Sequence, residues 1–280
     1  MSLTANAEQA AAWDGPEGDH WTEHAEHYER LTRRYRDLLM SAGLLTLDDD
    51  VLDVGCGTGA LSREAAQQVP AGTVLGLDLS GRMIERAREL TAAAGITNAR
   101  FEHADAQVHT FSPAGFDVIV SCFGSTFFAD PVRAFTNLAE SLHPGGRVGL
   151  LTWRDLARNE WMSAIRDALA AGRSLPVPIP GAPGPFGLAE ADRVRALLNG
   201  AGLVDVEIEP VDEAMKLGDD VAGAYALVSG MGTVHGLTDD LDAARRTRAF
   251  DTLRATLDAH QTESGVLFDS SAWLITARRR

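Results

Sequence analysis

Between residues 21 and 42 the apolar side chains fall at Trp21, Tyr28, Leu31, Tyr35, Leu38, Leu39 and Ala42. That spacing keeps one face of a helix apolar. From residue 51 the pattern alternates between strands and helices. Val51–Val54 reads as a buried strand and runs into Gly55-Cys56-Gly57-Thr58-Gly59, after which Leu61, Ala65 and Val69 mark one helical face. Thr73–Leu77 is a second strand. Ser80 is a helix N-cap for a segment with Met83, Ile84, Ala87, Leu90 and Ala94 turned inward. Arg100–His103, Phe116–Cys122 and Arg147–Trp153 read as strands three, four and five, with a helix over Pro131–Leu142 before the fifth. Such alternation predicts a parallel sheet with right-handed crossovers and helices on both faces.

Past strand five the regularity loosens. Asn159–Ala171 is helical in pattern. Pro176, Pro178, Pro180, Pro183 and Pro185 then crowd one short stretch, which must be a loop because it has too few backbone donors for anything else. Glu190–Leu198 is a helix closed by Gly200, Val204–Glu209 a sixth strand, 219–263 mostly helical, and Trp273–Ala277 a last strand. We read residues 1–280 as one domain. It has an N-terminal helical segment (1–45), a core (46–154), and two insertions (155–188 and 218–264) placed to cap the carboxyl edge of the sheet, where ligands bind in such folds.

Charge narrows the partners. The formal net charge is −15, and a nucleic-acid binder needs a basic face, so no nucleic-acid partner is expected. The two cysteines, Cys56 and Cys122, have neither disulfide-framework nor zinc-site spacing. Residues 1–15 lack an apolar signal core and no apolar run reaches membrane-span length, so the expectation is a cytoplasmic protein with no membrane span.

Strand, glycine loop and helix in that order form a nucleotide site: glycines permit a tight turn, and the helix start offers free N–H groups. Gly55-x-Gly57-x-x-Ala60 alone also fits a dinucleotide fingerprint. Asp78, at the end of the second strand, is placed to accept both hydroxyls of a ribose, a task common to both nucleotide classes.

Val51-Leu52-Asp53-Val54-Gly55-Cys56-Gly57-Thr58-Gly59 resembles the first motif of class I S-adenosylmethionine (SAM)-dependent methyltransferases, Asp53 included. Gly76-Leu77-Asp78-Leu79-Ser80 is similar to that family's ribose-binding segment, and Ala104-Asp105-Ala106 to its adenine-binding one. Phe116-Asp117-Val118-Ile119 and Leu142-His143-Pro144-Gly145-Gly146 resemble its fourth-strand motif and the turn before strand five. More weakly, Trp13-Asp14-Gly15-Pro16, Trp21, Asp130-Pro131 and Thr152-Trp153-Arg154 resemble a bacterial subgroup near the ubiquinone and menaquinone methyltransferases, which act mostly on small molecules. The resemblance implies a Rossmann-like, mostly parallel seven-stranded sheet with an antiparallel last strand, SAM as cofactor, and a small-molecule acceptor. It implies that Gly55 and Gly57 pack against the methionine part and that Asp53 steers its amino group. Asp78 would hold the ribose, and Leu79 and Met83 would flank the adenine. Asp105 and the Ala106 N–H would meet the adenine edge, with Ser121 and Cys122 beneath the sulfonium. As residues, Leu79 and Met83 fit a core equally well, and the two cysteines read as small fillers.

Methyl transfer from a sulfonium needs no metal; it needs an in-line acceptor, and positioning of that kind is worth roughly 7–11 kcal/mol. Trp21, Phe123 and Trp153 are candidates to face the cation. If the acceptor needs a base, His20, His24, His27 or His235 are the histidines to consider, and no catalytic residue is assigned. Two other functions fit parts of the pattern: a non-catalytic module that binds SAM or S-adenosylhomocysteine, and an NAD-dependent oxidoreductase. The second leaves Asp53, Asp105-Ala106 and the Pro144-Gly145-Gly146 turn unexplained. Oligomeric state is not legible.

Overall fold

A computed structural model describes residues 6–280. Its helices are α1 (Ala7–Trp13), α2 (Pro16–Glu23), α3 (Ala25–Met40), α4 (Ala60–Gln68), α5 (Gly81–Ala93), α6 (Pro131–Ser141), α7 (Glu160–Leu169), α8 (Ala191–Gly200), α9 (Val221–Ser229), α10 (Gly232–Thr238) and α11 (Ala243–Ala259). The strands are β1 (Asp50–Val54), β2 (Thr73–Asp78), β3 (Ala99–His103), β4 (Phe116–Cys122), β5 (Leu142–Trp153), β6 (Leu203–Gly218), β7 (Gln261–Thr262) and β8 (Gly265–Arg279). They form one sheet in the order β3-β2-β1-β4-β5-β8-β6, with β7 beside β8. β1 to β5 pair in parallel, and β8 runs antiparallel to both β5 and β6. The expected seven-stranded, mostly parallel sheet with an antiparallel last strand is present. The two-residue β7 makes eight.

Alternation along β1 sends Leu52 and Val54 to one face and Val51 to the other. On the first face, Leu52, Val54, Leu75, Leu77, Ile119 and Leu150 pack with Phe135 and Leu138 of α6 and Val194 and Leu198 of α8. On the second, Val51, Val74, Val118 and Leu151 pack with Tyr35 and Leu39 of α3, Leu61 and Ala65 of α4, and Ile165 and Leu169 of α7. Leu253 and Leu257 of α11 belong to the same cluster.

Three local expectations are corrected. The apolar stripe over 21–42 is two helices, α2 and α3, that meet at His24 (φ −107°). The break lets Trp21 stack on Tyr28, with ring centroids 3.6 Å apart and planes 8° from parallel. On α5, Ala94 lies beyond the last turn and is exposed, while Thr91 takes the inward position. Third, β6 and β8 are far longer than 204–209 and 273–277. Pro210 discourages a strand reading, yet β6 is the sheet's edge, where a missing N–H costs little.

That extra length positions the site. Trp153, at the carboxyl end of β5, pairs with Ala272, so residues 265–271 of β8 have only β6 and β7 as strand partners. The β6–β8 ribbon therefore overhangs the carboxyl edge of the parallel sheet and carries α9 to α11 with it. Tyr35 of α3 hydrogen-bonds Ser270 on this ribbon at 2.7 Å. Buried Asn159 grips it from the first insertion, accepting from the Ser271 N–H and donating to the Ser271 carbonyl, each at 3.1 Å.

Candidate active site

The glycine loop is built by β1 turning into α4. Gly55, Gly57 and Gly59 all have positive φ (69°, 54° and 81°), a backbone state that disfavours side chains. The N–H groups of Gly55 and Cys56 both donate to the Leu77 carbonyl at the end of β2, at 2.9 and 3.0 Å. Gly57 N–H donates to Asp78 Oδ2 at 2.8 Å, and Ser80 N–H to Asp78 Oδ1 at 2.9 Å. Asp78 thus ties the loop to the start of α5, and each oxygen keeps a lone pair for a ligand hydroxyl. Burial pushes its carboxyl above the usual carboxylate range, and those two backbone donors offset only part of that rise. Ser80 caps α5 by accepting from the Met83 N–H, as its position in the sequence predicts.

A cavity of about 590 Å³ opens from this loop along the carboxyl edge, within the range usual for small-molecule sites. Gly55, Gly57, Asp78, Leu79, Met83, Asp105, Ala106 and Cys122 all line it. Asp53 and Ser121 do not line it. Asp53 is wholly buried behind the loop and accepts from Ser62 Oγ at 2.6 Å; burial first, and the nearby Asp78 charge, push its carboxyl up to about 7. Ser121 joins the strand ends from inside, donating to the Val54 carbonyl at 2.7 Å and accepting from the Ser125 N–H at 3.0 Å.

At one end of the cavity Asp105 is buried; its Oδ1 accepts from the Gln107 N–H at 3.0 Å, while Oδ2 has no partner. A buried carboxylate oxygen without a donor is costly in a lone protein, and it fits the exocyclic amino group of an adenine. A Cβ built on Gly57 meets nothing nearer than Met83 Sδ at 3.8 Å, so that glycine leaves open space facing the cavity. One built on Gly55 would sit 2.7 Å from Gly124 Cα. Gly55 is needed for packing of the loop on the segment after β4, and Gly57 for room. These residues fit the adenosine portion of SAM.

The other end is aromatic and thioether-rich. Phe123 stacks on Trp153 with centroids 3.9 Å apart, and Tyr35 meets both edge-on. Phe123 holds φ at 65°, an unfavourable state for a non-glycine residue and a recurring mark of functional sites. Trp161 and Met162 come from α7, Met215 from the overhanging part of β6, and Met231 from the α9–α10 turn. Trp21, Phe123 and Trp153 therefore face the cavity. Tyr28, Leu31 and the three methionines join them without a motif to announce them; their only signal was burial-compatible side chains near the carboxyl edge. The four candidate histidines do not line the cavity. Burial lowers His20 and His27, and His20 Nε2 lies 3.2 Å from the Leu227 carbonyl. His235 is half-exposed, facing Asp239 at 3.6 Å. Burial raises the Cys122 and Cys56 thiols well above their usual range, so both remain protonated fillers.

The N-terminal segment covers the cavity. Asp14 Oδ1 accepts from the Gly81 N–H at 2.8 Å, Asp19 pairs with Arg82, and Trp13 meets Phe127 edge-on at 5.0 Å. Glu17 joins this segment to the second insertion: Oε2 accepts from the Gly232 N–H at 2.7 Å, and Oε1 from the Trp21 indole at 3.1 Å.

An open α/β sheet with a glycine loop after β1, an acid at the end of β2 and a cavity over its carboxyl edge defines a Rossmann-like nucleotide-binding enzyme domain. Residues 51–146 match the protein family described as methyltransferase domain. It is 36% identical over 99 residues to an aklanonic acid methyltransferase of Streptomyces sp. (strain C5), covering 35% of this chain and 45% of that protein. It is 32% identical over 139 residues to a demethylmenaquinone methyltransferase of Thermus thermophilus, covering 47% and 63%. The chain thus spans less than two thirds of the length of these curated relatives. In fold it is similar to Haemonchus contortus phosphoethanolamine N-methyltransferase 2, solved in complex with SAM (TM-score 0.56, 16% identity, 92% of this chain and 57% of that one). Among the described residues no helix is long and apolar enough to cross a membrane, and no group of three or more potential ligand side chains is arranged to hold a metal ion.

Proposed function

We propose that this protein binds SAM and transfers its methyl group to a small, largely apolar acceptor that carries a ring. The observation behind this reading is the single cavity that joins the Asp78–Asp105 end to the Trp153–Phe123–Met162 end. One half suits an adenosine, and the other suits a flat apolar molecule laid against aromatic faces. The two relatives, by their names, act on aklanonic acid and demethylmenaquinone, which points the same way.

SAM supplies an activated methyl carbon on a neutral leaving group. The protein's part is to bind and orient. Asp78 accepts the ribose hydroxyls, Asp105 Oδ2 accepts the amino N–H of the adenine, Met83 and Leu79 flank the base, and Gly57 leaves room at the loop. Asp53, buried behind the loop with its Oδ1 unpartnered, would act on the amino group of the methionine part only through the loop that covers it. The paired rings of Phe123 and Trp153 offer a face to the positive sulfonium. The insertions 155–188 and 218–264, with the N-terminal helices, act as a lid that excludes water and shapes the acceptor end.

Turnover is the test. Incubated with SAM and a panel of hydroxylated naphthalenes and anthraquinones, the protein should release S-adenosylhomocysteine with at least one acceptor at rates above the acceptor-free control. Release indistinguishable from that control across this panel and a matching set of aliphatic alcohols, amines and carboxylic acids would leave a binding module and reject the enzyme reading.

A further inference from the structure

Tyr28 is 6% exposed and lines the cavity, yet its hydroxyl has no hydrogen-bond partner. An unsatisfied buried hydroxyl costs stability that a phenylalanine of the same shape would not. The ring is firmly held. Trp21 stacks flat on it at 3.6 Å, and His20 meets it edge-on at 6.0 Å. The fold thus fixes the direction of a donor it does not itself use.

The surroundings place this donor at the acceptor end. His20, which meets the Tyr28 ring edge-on, lies 3.2 Å from the Leu227 carbonyl of α9, so Tyr28 sits beneath the second insertion, which also brings Met231 to the cavity. Two polar side chains of the wall, Glu17 and Thr32, are engaged elsewhere. Glu17 holds the Gly232 N–H and the Trp21 indole, and the Thr32 hydroxyl donates to the Tyr28 carbonyl at 3.0 Å and accepts from Arg36 at 2.7 Å. The acids suited to the adenosine, Asp78 and Asp105, project from the sheet edge, and neither bonds Tyr28. Burial and, second, the Glu17 charge push the Tyr28 phenol far above its usual range, so it remains a donor at any working pH.

Resting on the methyltransferase reading above, we infer that Tyr28 Oη is the specificity contact of the acceptor chamber, donating to an oxygen carried by the acceptor's ring. The substrate class is then an apolar ring system bearing a phenol, quinol or ring-ketone oxygen, and a bare hydrocarbon ring of equal size is discriminated against. The stack of Trp21 on Tyr28 supplies the apolar wall, and the hydroxyl fixes where along that wall the oxygen lies. Removing an acceptor's oxygen leaves the buried donor unpaired, the form of discrimination that hydrogen-bonding sites perform best.

The test compares wild type with Tyr28→Phe, both saturated with S-adenosylhomocysteine and titrated with 1-naphthol and with naphthalene. Wild type should prefer 1-naphthol by about tenfold. Tyr28→Phe should lose that preference through weaker naphthol binding alone, with unchanged affinity for naphthalene and for S-adenosylhomocysteine. Ligand-free Tyr28→Phe should melt at or above the wild-type temperature, which also reports that it is folded. No naphthol preference in wild type, or a preference that survives in Tyr28→Phe, overturns the proposal. So does a loss of S-adenosylhomocysteine affinity in the variant, which would assign Tyr28 to the cofactor. If wild type itself takes up no S-adenosylhomocysteine, the functional reading fails and this inference fails with it.

Discussion

Gly55 and Gly57 stand two positions apart with the same left-handed backbone, yet an added methyl group should affect them differently. At Gly55 the new Cβ would collide with Gly124 backbone at 2.7 Å, so loop and sheet edge must part. At Gly57 it would enter the cavity, with only Met83 Sδ near at 3.8 Å. Both variants carry about 1–2 kcal/mol of backbone strain, and Gly55→Ala adds an overpacking cost of roughly 1–3 kcal/mol. Gly55→Ala is therefore expected to lower the melting temperature clearly more than Gly57→Ala. Gly57→Ala should weaken S-adenosylhomocysteine binding while the fold persists. Thermal melting with a titration of each variant checks this; wild-type affinity in Gly57→Ala would place the ligand elsewhere. The pair also shows what a motif conveys. Gly-x-Gly announced the loop, but only the position of Gly124 separates the glycine that packs from the one that makes room. Asp53 is similar: the sequence marks it, and burial beside Ser62 keeps it out of the cavity wall.

At the scale of elements, the parallel half of the sheet was legible because its cues are local. Short apolar runs, a glycine loop and the Ser80 cap are each contained in a few residues. The β6–β8 ribbon was not legible, because what stabilises it is remote. Asp269, Ser270 and Ser271 precede the expected 273–277 strand, yet Ser270 bonds Tyr35 and the Glu213 carbonyl, and Ser271 bonds Asn159. The acceptor chamber depends on that ribbon, so Met215 and the approach of Met231 were hidden with it. The lid has a similar remote joint. Glu17 satisfies two donors, one on its own helix and one at the start of α10. A charge-assisted bond of this kind is worth about 1.5–3 kcal/mol, so Glu17→Ala should speed hydrogen exchange roughly 10- to 100-fold in α1, α2, α9 and α10. β1, β4 and β5 should be unaffected. Unchanged exchange in the four helices would show that Glu17 does not hold the lid.

The whole molecule divides its work between a nucleotide-binding sheet edge and a cover drawn from three separate stretches of chain. The proposed cofactor residues come from the loops after β1, β2 and β3, close to one another in sequence order, and they carry the family resemblance. The proposed acceptor residues come from α3, α7, β6 and the α9–α10 turn, far apart in sequence, and they carry no motif. Everything proposed about acceptors rests on the first half of this division, that the sheet edge takes SAM. Calorimetric titration of the wild-type protein with SAM and, separately, with NAD measures it directly. The account predicts one SAM site per chain with a dissociation constant in the micromolar range and no heat from NAD. Saturable binding of NAD with no heat from SAM would contradict it.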